Sequence, residues 1–339
     1  MDAAALDRRV RACARLTRAA SEHKVRIKDL VRQLLPMTPL TGDLGNADLA
    51  VLEQHADPRE LLAAGEAGLP RLISAASNKQ LGRERAGQWL AAAVAAIGLY
   101  GDHPAVAFEE LAAEVATEVR LLRAIDAELA LHAAARERHY LQVDPGQLAR
   151  SLPGFAEISA PVLAASMGRP GRFPGASRFK SYVGLAPRAS QTGESDRKGQ
   201  PMSKAGPSLL RSAFVRAADG ARKQDPQLAR IYYQQMTERG AGHLKACCVV
   251  AGHLAERAWT TMNRGTPYVI CDNDGNPVTP AEARQIITEK RTVTEEVRKR
   301  RRSKAGKAPQ AATTGPHRRG DLPRPRSSRH RAQGVKPVT

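Results

Sequence analysis

Nine positions near the start of the chain fall in alternating steps of four and three: Leu6, Val10, Cys13, Thr17, Ala20, Lys24, Ile27, Val31 and Leu34. A strip that repeats every 3.5 residues demands one long helix with a partner along its length. Thr17 and Lys24 interrupt the strip, and Pro36 ends it because proline removes a helix donor and clashes with the preceding turn. A second run, Leu111, Val115, Leu122, Ile125 and Leu129, has compatible spacing. Between the two runs lie shorter helical pieces, with breaks at Asp57-Pro58, Gly65 to Pro70 and Gly101 to Pro104. Two readings stay open. The runs form an antiparallel hairpin within one chain around a helical insertion, or they form a coiled coil between copies, which makes the chain a homo-oligomer. Alanine is abundant and large apolar residues are modest in number, so the cores are expected to be helix on helix. The expected class is mostly α.

Charge narrows the partners. The 339 residues carry 53 Lys plus Arg against 34 Asp plus Glu, a formal net charge of +19. An excess of that size implies phosphate-bearing partners. It is uneven: residues 298–339 hold 14 Lys/Arg and one acid, Asp321, with almost no large apolar side chain. That stretch is expected to be a disordered basic tail that touches DNA or RNA. Aromatics are only 4% of the chain, which weakens any broad base-stacking platform. Cys13, Cys247, Cys248 and Cys271 show no metal-ligand spacing and read as small core residues of a reducing cytoplasm. The histidines are scattered and read as structural or surface groups. Leu90 to Leu99 is too short to cross a bilayer, so no membrane is expected.

The segment from Tyr182 to Arg211, YVGLAPRASQTGESDRKGQPMSKAGPSLLR, is the richest in chemistry. Hydroxyls (Ser190, Thr192, Ser195, Ser203) alternate with cations (Arg188, Arg197, Lys198, Lys204, Arg211), glycines punctuate the loop, and a helix begins near Pro207. Backbone amides and cations ahead of a helix N-terminus suit phosphate. A hydroxyl held among them is placed to attack a phosphodiester. A solvated surface loop would have a similar composition.

The order Gly-Leu-x-Pro-Arg, hydroxyl-Gly, Ser-Lys-x-Gly, Leu-Arg resembles the C-terminal transposase domain of the insertion-sequence-110 family. In that family the residue before the glycine is usually a serine and is the nucleophile. Here it is Thr192, with Ser195 (and Ser190) as the fallback. Upstream, Ser151-Leu-Pro-Gly-Phe-Ala resembles the family's Pro-Gly-hydrophobic-Gly element, with Ala156 in place of the second glycine. It reads as the start of a helix-hairpin-helix in which Gly154 makes a tight turn and the amides that follow face a phosphate. Downstream, Leu209 to Arg264 matches in layout: a helix, a break at Asp225-Pro226, a second helix to Gly240, then one long helix closed by Gly265.

The organisation expected from these readings is a helical region over 1–145, a transposase-type domain over 146–270 with a short strand pair near Tyr182–Pro187, an extension over 271–297 and the tail over 298–339. The resemblance implies a DNA transposase or recombinase, DNA and a structured guide RNA as partners, and cations at Arg188, Arg197, Lys198, Lys204 and Arg211 on the phosphates. It also implies an acidic RNase H-like domain that holds magnesium. No strand bearing its aspartates is legible in these residues, so the expectation is an N-terminally truncated member with no cofactor of its own, and catalysis by this chain alone is uncertain. A non-catalytic nucleic-acid-binding remnant and a helical assembly protein are the alternatives.

Overall fold

The structure is a computed structural model, and it describes residues 3–101, 106–188, 191–192, 195–196 and 201–305. The first heptad run is one helix, α1 (Ala3–Leu34), and the second lies in α5 (Phe108–Val143). At 1.5 Å per residue these helices are about 50 Å long. They run antiparallel: Arg9 meets His132 near one end, while His23 and Arg26 both reach Glu118 further along. The strip is buried at Leu6, Val10, Cys13, Ala20, Ile27, Val31 and Leu34, and its two polar interruptions stay outside the core.

The insertion between them is three helices, α2 (Asn46–Gln54), α3 (Pro58–Ala76) and α4 (Arg83–Tyr100). Each expected break has a physical device. Asp57 caps α3, accepting from the Arg59 amide at 2.8 Å, with Pro58 in the first turn where its missing donor costs nothing. Gly65 kinks α3 rather than ending it, and Gly101 closes α4. Trp89 is fully buried here and donates through Nε1 to Asp48 at 3.2 Å, an acid that Arg85 also holds.

A second core gathers the open end of the α1/α5 hairpin (Leu6, Val10, Tyr140) with the helices that follow. These are α6 (Leu148–Ser151), α7 (Ser159–Met167), α8 (Ala176–Val183), α9 (Ser208–Ala221), α10 (Pro226–Thr237) and α11 (His243–Arg264), then α12 (Pro280–Arg291) and α13 (Glu295–Ala305). Asp144 welds α5 to α6: buried, it accepts from the Tyr140 hydroxyl and from the amides of Leu148 and Ala149. α11 is the central helix, packed by α8, α9 and α10.

Two expectations need correcting. The strand pair itself does not lie at Tyr182–Pro187, where the pairing is the single antiparallel bridge of Pro187 with Met202. It is β1 (Gln191–Thr192) against β2 (Ser195–Asp196), further out on the same hairpin, whose stem is the expected segment. Nor does helix end before residue 298: α13 carries the first residues of the basic stretch. It is tied down because Val293 and Val297 join the second core and Arg301 is buried. The disorder expected of residues 306–339 concerns positions outside the described residues. Among the described residues no helix is long and apolar enough to cross a membrane.

Candidate nucleic-acid interface

The hydroxyl-rich loop is a β-hairpin that springs from the gap between α8 and α9. Its stem is laddered by Lys204 N–H to Gly184 O at 3.2 Å, Ser203 N–H to Ala186 O at 2.9 Å and Arg188 N–H to Pro201 O at 2.9 Å. Toward the tip, Gln191 pairs with Asp196 and Thr192 with Ser195. Directly opposed residues of an antiparallel pair sit about 4.5–5.5 Å apart at Cα. The first-choice residue and its fallback are therefore directly opposed in the backbone ladder.

Glycine is required at the base of this hairpin. Gly206, at φ +83°, lies so near Tyr182 that an added Cβ would come within 1.9 Å of its carbonyl oxygen. Gly184, at φ +81°, faces the Ala205 carbonyl in the same way. Arg211 locks the base by donating through Nη1 to the carbonyls of Lys204 at 2.9 Å and Ala205 at 3.4 Å. The sequence put Arg211 on a phosphate; the structure places it under the hairpin. Arg188 is exposed on the stem and Lys204 is exposed at its foot, at φ +55°. Arg197 and Lys198 lie outside the described residues.

Gly154 is placed by packing. At φ +78° its Cα meets α9 so closely that a Cβ would come within 2.1 Å of Ala217 O, and Gly220 faces it. Its amide donates to Gln224 Oε1, and the Ala156 amide to Ser159 Oγ. Two of the amides of this turn thus have side-chain partners within the protein.

Beside the hairpin stem opens a cleft of ≈ 1190 Å³. Leu185, Pro187 and Met202 of the hairpin form one wall, Leu244, Cys248 and Val249 of α11 the floor, and Tyr232 and Met236 of α10 the far side. Six cations rim it: Lys180, Lys204, Arg222, Lys245, Arg298 and Arg301. Three of them have protein partners. Lys180 lies across buried Gly252 and pairs with Glu256 at 3.0 Å, Arg222 pairs with Asp219 at 2.7 Å, and Arg301 donates to Met236 O at 3.1 Å. Lys204, Lys245 and Arg298 are exposed and face no carboxylate within ion-pair distance among the described residues. A smaller cleft of ≈ 480 Å³ continues past Arg222 and Arg298 to Arg284 and Arg291. Sequence reading missed Lys180 and Lys245 and gave Arg298 only as the start of the basic tail, because the three come from distant segments.

Asp219, His243 and Cys247 also come together, their potential ligand atoms within 4.8 Å of one another. His243 and Cys247 are one helical turn apart, a spacing legible in the sequence, but Asp219 comes from another helix. The carboxylate is already engaged by Arg222 and by Lys223 at 3.1 Å. Burial pushes the Cys247 thiol up to about 11, so it stays protonated at neutral pH. Burial likewise pushes the His243 imidazole below its ordinary value, against the pull of Asp219, and Nδ1 shares a hydrogen bond with the Tyr232 hydroxyl at 2.8 Å. The trio is a hydrogen-bonded ion-pair network. Its imidazole and thiol do not fit magnesium, which takes oxygen ligands.

A buried polar knot backs the domain. Asp225, with no exposed surface, caps α10 through the Leu228 amide and accepts from Arg257 at 3.1 Å and from the Tyr268 hydroxyl at 2.6 Å. Burial and the Asp225 charge push the Tyr268 phenol well above its ordinary value.

Residues 146–234, which contain the hairpin, the Gly154 turn and the α9–α10 break, match the family described as Transposase IS116/IS110/IS902. That segment is similar to the transposase domain of that family. Among similar proteins, an insertion element IS110 protein of 43.6 kDa from Streptomyces coelicolor is 30% identical over 118 residues, covering 35% of this chain and 29% of that protein. An insertion element IS900 protein of 42 kDa from Mycobacterium paratuberculosis is 27% identical over 179 residues, covering 52% of this chain and 44% of its own length. A probable family 20 transposase from Pseudomonas aeruginosa is 29% identical over 164 residues, covering 47% of this chain and 46% of its own length. The chain thus spans less than half the length of these curated relatives. The matched segment supplies the hairpin, Arg222 and Tyr232 to the cleft; α11 and α13, beyond residue 234, supply most of the rest.

Proposed function

We propose that this chain is the DNA-engaging part of an insertion-sequence transposase or recombinase, with a hydroxyl of the β1–β2 hairpin as the nucleophile. The observation that carries this reading is the pairing of Thr192 with Ser195 on a hairpin whose stem walls a cation-rimmed cleft, inside the matched transposase segment. In the proposed step the Thr192 oxygen forms a bond to phosphorus as the bond from phosphorus to a sugar oxygen breaks. The hydroxyl gives up its proton, and the departing sugar oxygen gains one. One phosphodiester replaces another, so no oxidant or reductant enters. Arg188 and Lys204 offset the charge that builds on the phosphate oxygens, with Arg197 and Lys198 as further cations of the same loop, while Arg211 positions the loop from below. Threonine does this less well than serine because its methyl group restricts χ1 and crowds the attacking oxygen.

Magnesium, in this reading, belongs to acidic residues supplied by another segment or chain. No donor set among the described residues fits it, and the step assigned here to Thr192 is not routed through it. The resemblance further suggests a structured guide RNA and self-association through the α1/α5 helices. A reducing cytoplasm suits the four free cysteines.

The test is a covalent-complex assay on a DNA substrate, with the acidic segment supplied in the same polypeptide or in trans. The expected result is protein–DNA attachment that is lost in Thr192→Ala and raised in Thr192→Ser. Attachment that survives Thr192→Ala but is lost in Ser195→Ala moves the nucleophile to Ser195. Attachment that survives both removes the hairpin hydroxyl from the chemistry. Binding without strand transfer is the second reading, favoured by cleft cations that need no hydroxyl to hold phosphate.

A further inference from the structure

The cleft differs from a surface built to take duplex DNA. A duplex presents phosphates and groove edges, and its stacked bases have no use for an apolar floor. Here the rim is cationic and the wall and floor are apolar: Leu185, Pro187 and Met202 of the hairpin and Leu244 and Val249 of α11 line the cleft together with Lys204, Lys245 and Arg298. At ≈ 1190 Å³ the space exceeds the about 300–1,000 Å³ of ordinary small-ligand pockets. Unpaired nucleotides need this combination, because bases out of the stack seek apolar or planar contact while their phosphates seek cations. Planar groups are present at the edge: His243 is exposed, and the Arg222 guanidinium lies 4.2 Å over the Tyr232 ring.

We propose that this cleft holds an unpaired stretch of a DNA strand and passes it toward the hairpin hydroxyls. Bases rest on the floor between the hairpin stem and α11, and phosphates rest on Lys204, Lys245 and Arg298. The stem wall makes the connection. Pro187 lines the cleft, and Thr192 is five residues beyond it, at most about 18 Å even for fully extended chain. A strand lying in the cleft therefore needs only a few more nucleotides to reach the tip. α13 completes the site, because Arg301 anchors it on the Met236 carbonyl and beside Gly240 while Arg298 reaches the lip. This inference rests on the reading that the domain engages DNA.

The experiment uses the full chain and measures anisotropy of labelled oligodeoxynucleotides, as single strand, as duplex and as duplex with a short central mismatch bubble, over a range of salt. The variant is Lys204→Ala/Lys245→Ala/Arg298→Ala, whose three positions are exposed, and its melting curve checks that it folds. Single strand and bubble are expected to bind at least tenfold more tightly than duplex. The triple variant is expected to flatten the single-strand slope of log affinity against log salt by ~2, since each lost phosphate contact removes ~0.7, with a smaller change for duplex. A second variant, Val249→Asp, puts a charge on the floor and is expected to weaken single-strand and bubble binding while sparing duplex. Equal loss for duplex and single strand in the triple variant would overturn the proposal, as would an unchanged single-strand slope. Tenfold tighter binding of the matching single-stranded RNA would replace the occupant. The assay needs no hydroxyl, so its failure and a failure of the covalent-complex assay are separate results.

Discussion

The two cores of this molecule are held together by different means. The core around the helical insertion is filled mainly by apolar side chains, Ile27, Val31, Leu34, Leu52, Leu61, Ile73 and Trp89, with Asp48 and Asp57 buried at its edge, and its glycines mostly face open space. The second core is held as much by backbone contacts and buried polar groups. Gly154, Gly184 and Gly206 each let two backbones meet at a separation no side chain permits, and Asp225, Arg257 and Tyr268 tie α10, α11 and the following loop together. A packed apolar core tolerates exchange of one hydrophobic residue for another of like size. A backbone clasp or a buried ion pair tolerates almost none. The strict requirements therefore fall where the hairpin and cleft must be positioned.

Amide exchange reads the two cores separately, and substitutions measured that way test the contrast. The largest effect is expected from Gly206→Ala. The new Cβ would sit within 1.9 Å of Tyr182 O at φ +83°, so the α8–α9 junction must open. A loss of roughly 4 kcal/mol or more is expected, with early exchange of α8 and α9 amides and little change in the insertion. A mild, evenly spread effect would mean that the clasp is not what holds the hairpin base. Asp225→Ala comes next, at about 3 kcal/mol, because it strands the Arg257 charge and the Tyr268 hydroxyl and removes the α10 cap. Asp225→Asn, which keeps a cap acceptor, should recover part of that loss in a denaturant titration.

Gly87→Ala sharpens the contrast with the opposite sign. Gly87 lies inside α4, is exposed, and has nothing within 4 Å of a built Cβ. A gain of about 0.5–1 kcal/mol is expected from the restored helix propensity, seen as a raised melting temperature. The smallest effect is a pH dependence of the α1/α5 pair. Burial pushes the Glu118 carboxyl up, but Arg26 at 2.9 Å and His23 more than offset it, leaving it below its ordinary 4.5. A depressed carboxyl contributes stability above its unfolded value and loses it as pH falls through and below that value. Protection of α5 amides should therefore decline on acidification from about pH 5, and Glu118→Gln should flatten that decline. A decline that is unchanged in Glu118→Gln would place the acid-sensitive group elsewhere.

The insertion side was legible because heptad spacing is a local property: each step of three or four brings the next apolar side chain onto the same stripe whatever the partner is. Breaks at Asp57-Pro58 and Gly101 were legible for the same reason, since a cap or a positive-φ glycine acts on its immediate neighbours. The hairpin was legible as a composition and in one side of its stem, near Tyr182–Pro187. Its stem lies at Gly184–Lys204 and its tip further out, because ladder register depends on two segments meeting, and no single stretch of residues encodes that. The Arg298 end of the chain misled by charge alone, since Val293 and Val297 supplied enough apolar contact to fold a helix that the arginine count concealed.

What the sequence determined by itself was the class and a resemblance: two long helices, a hydroxyl- and glycine-rich segment, and an ordered set of short motifs, most of which lie in the segment that matches a transposase family. What only the tertiary structure decided was which residues share a place. Arg211 came to hold the base of the hairpin, and Gly154 came against α9. Lys180, Lys204, Lys245 and Arg298, from four separate segments, met around one cleft. The physical reason is range. Helix periodicity, caps and positive-φ glycines act over a few residues and can be read in order along the chain, whereas a cleft exists only after distant segments pack, and its charge is set by which cations are left without an acid when they do.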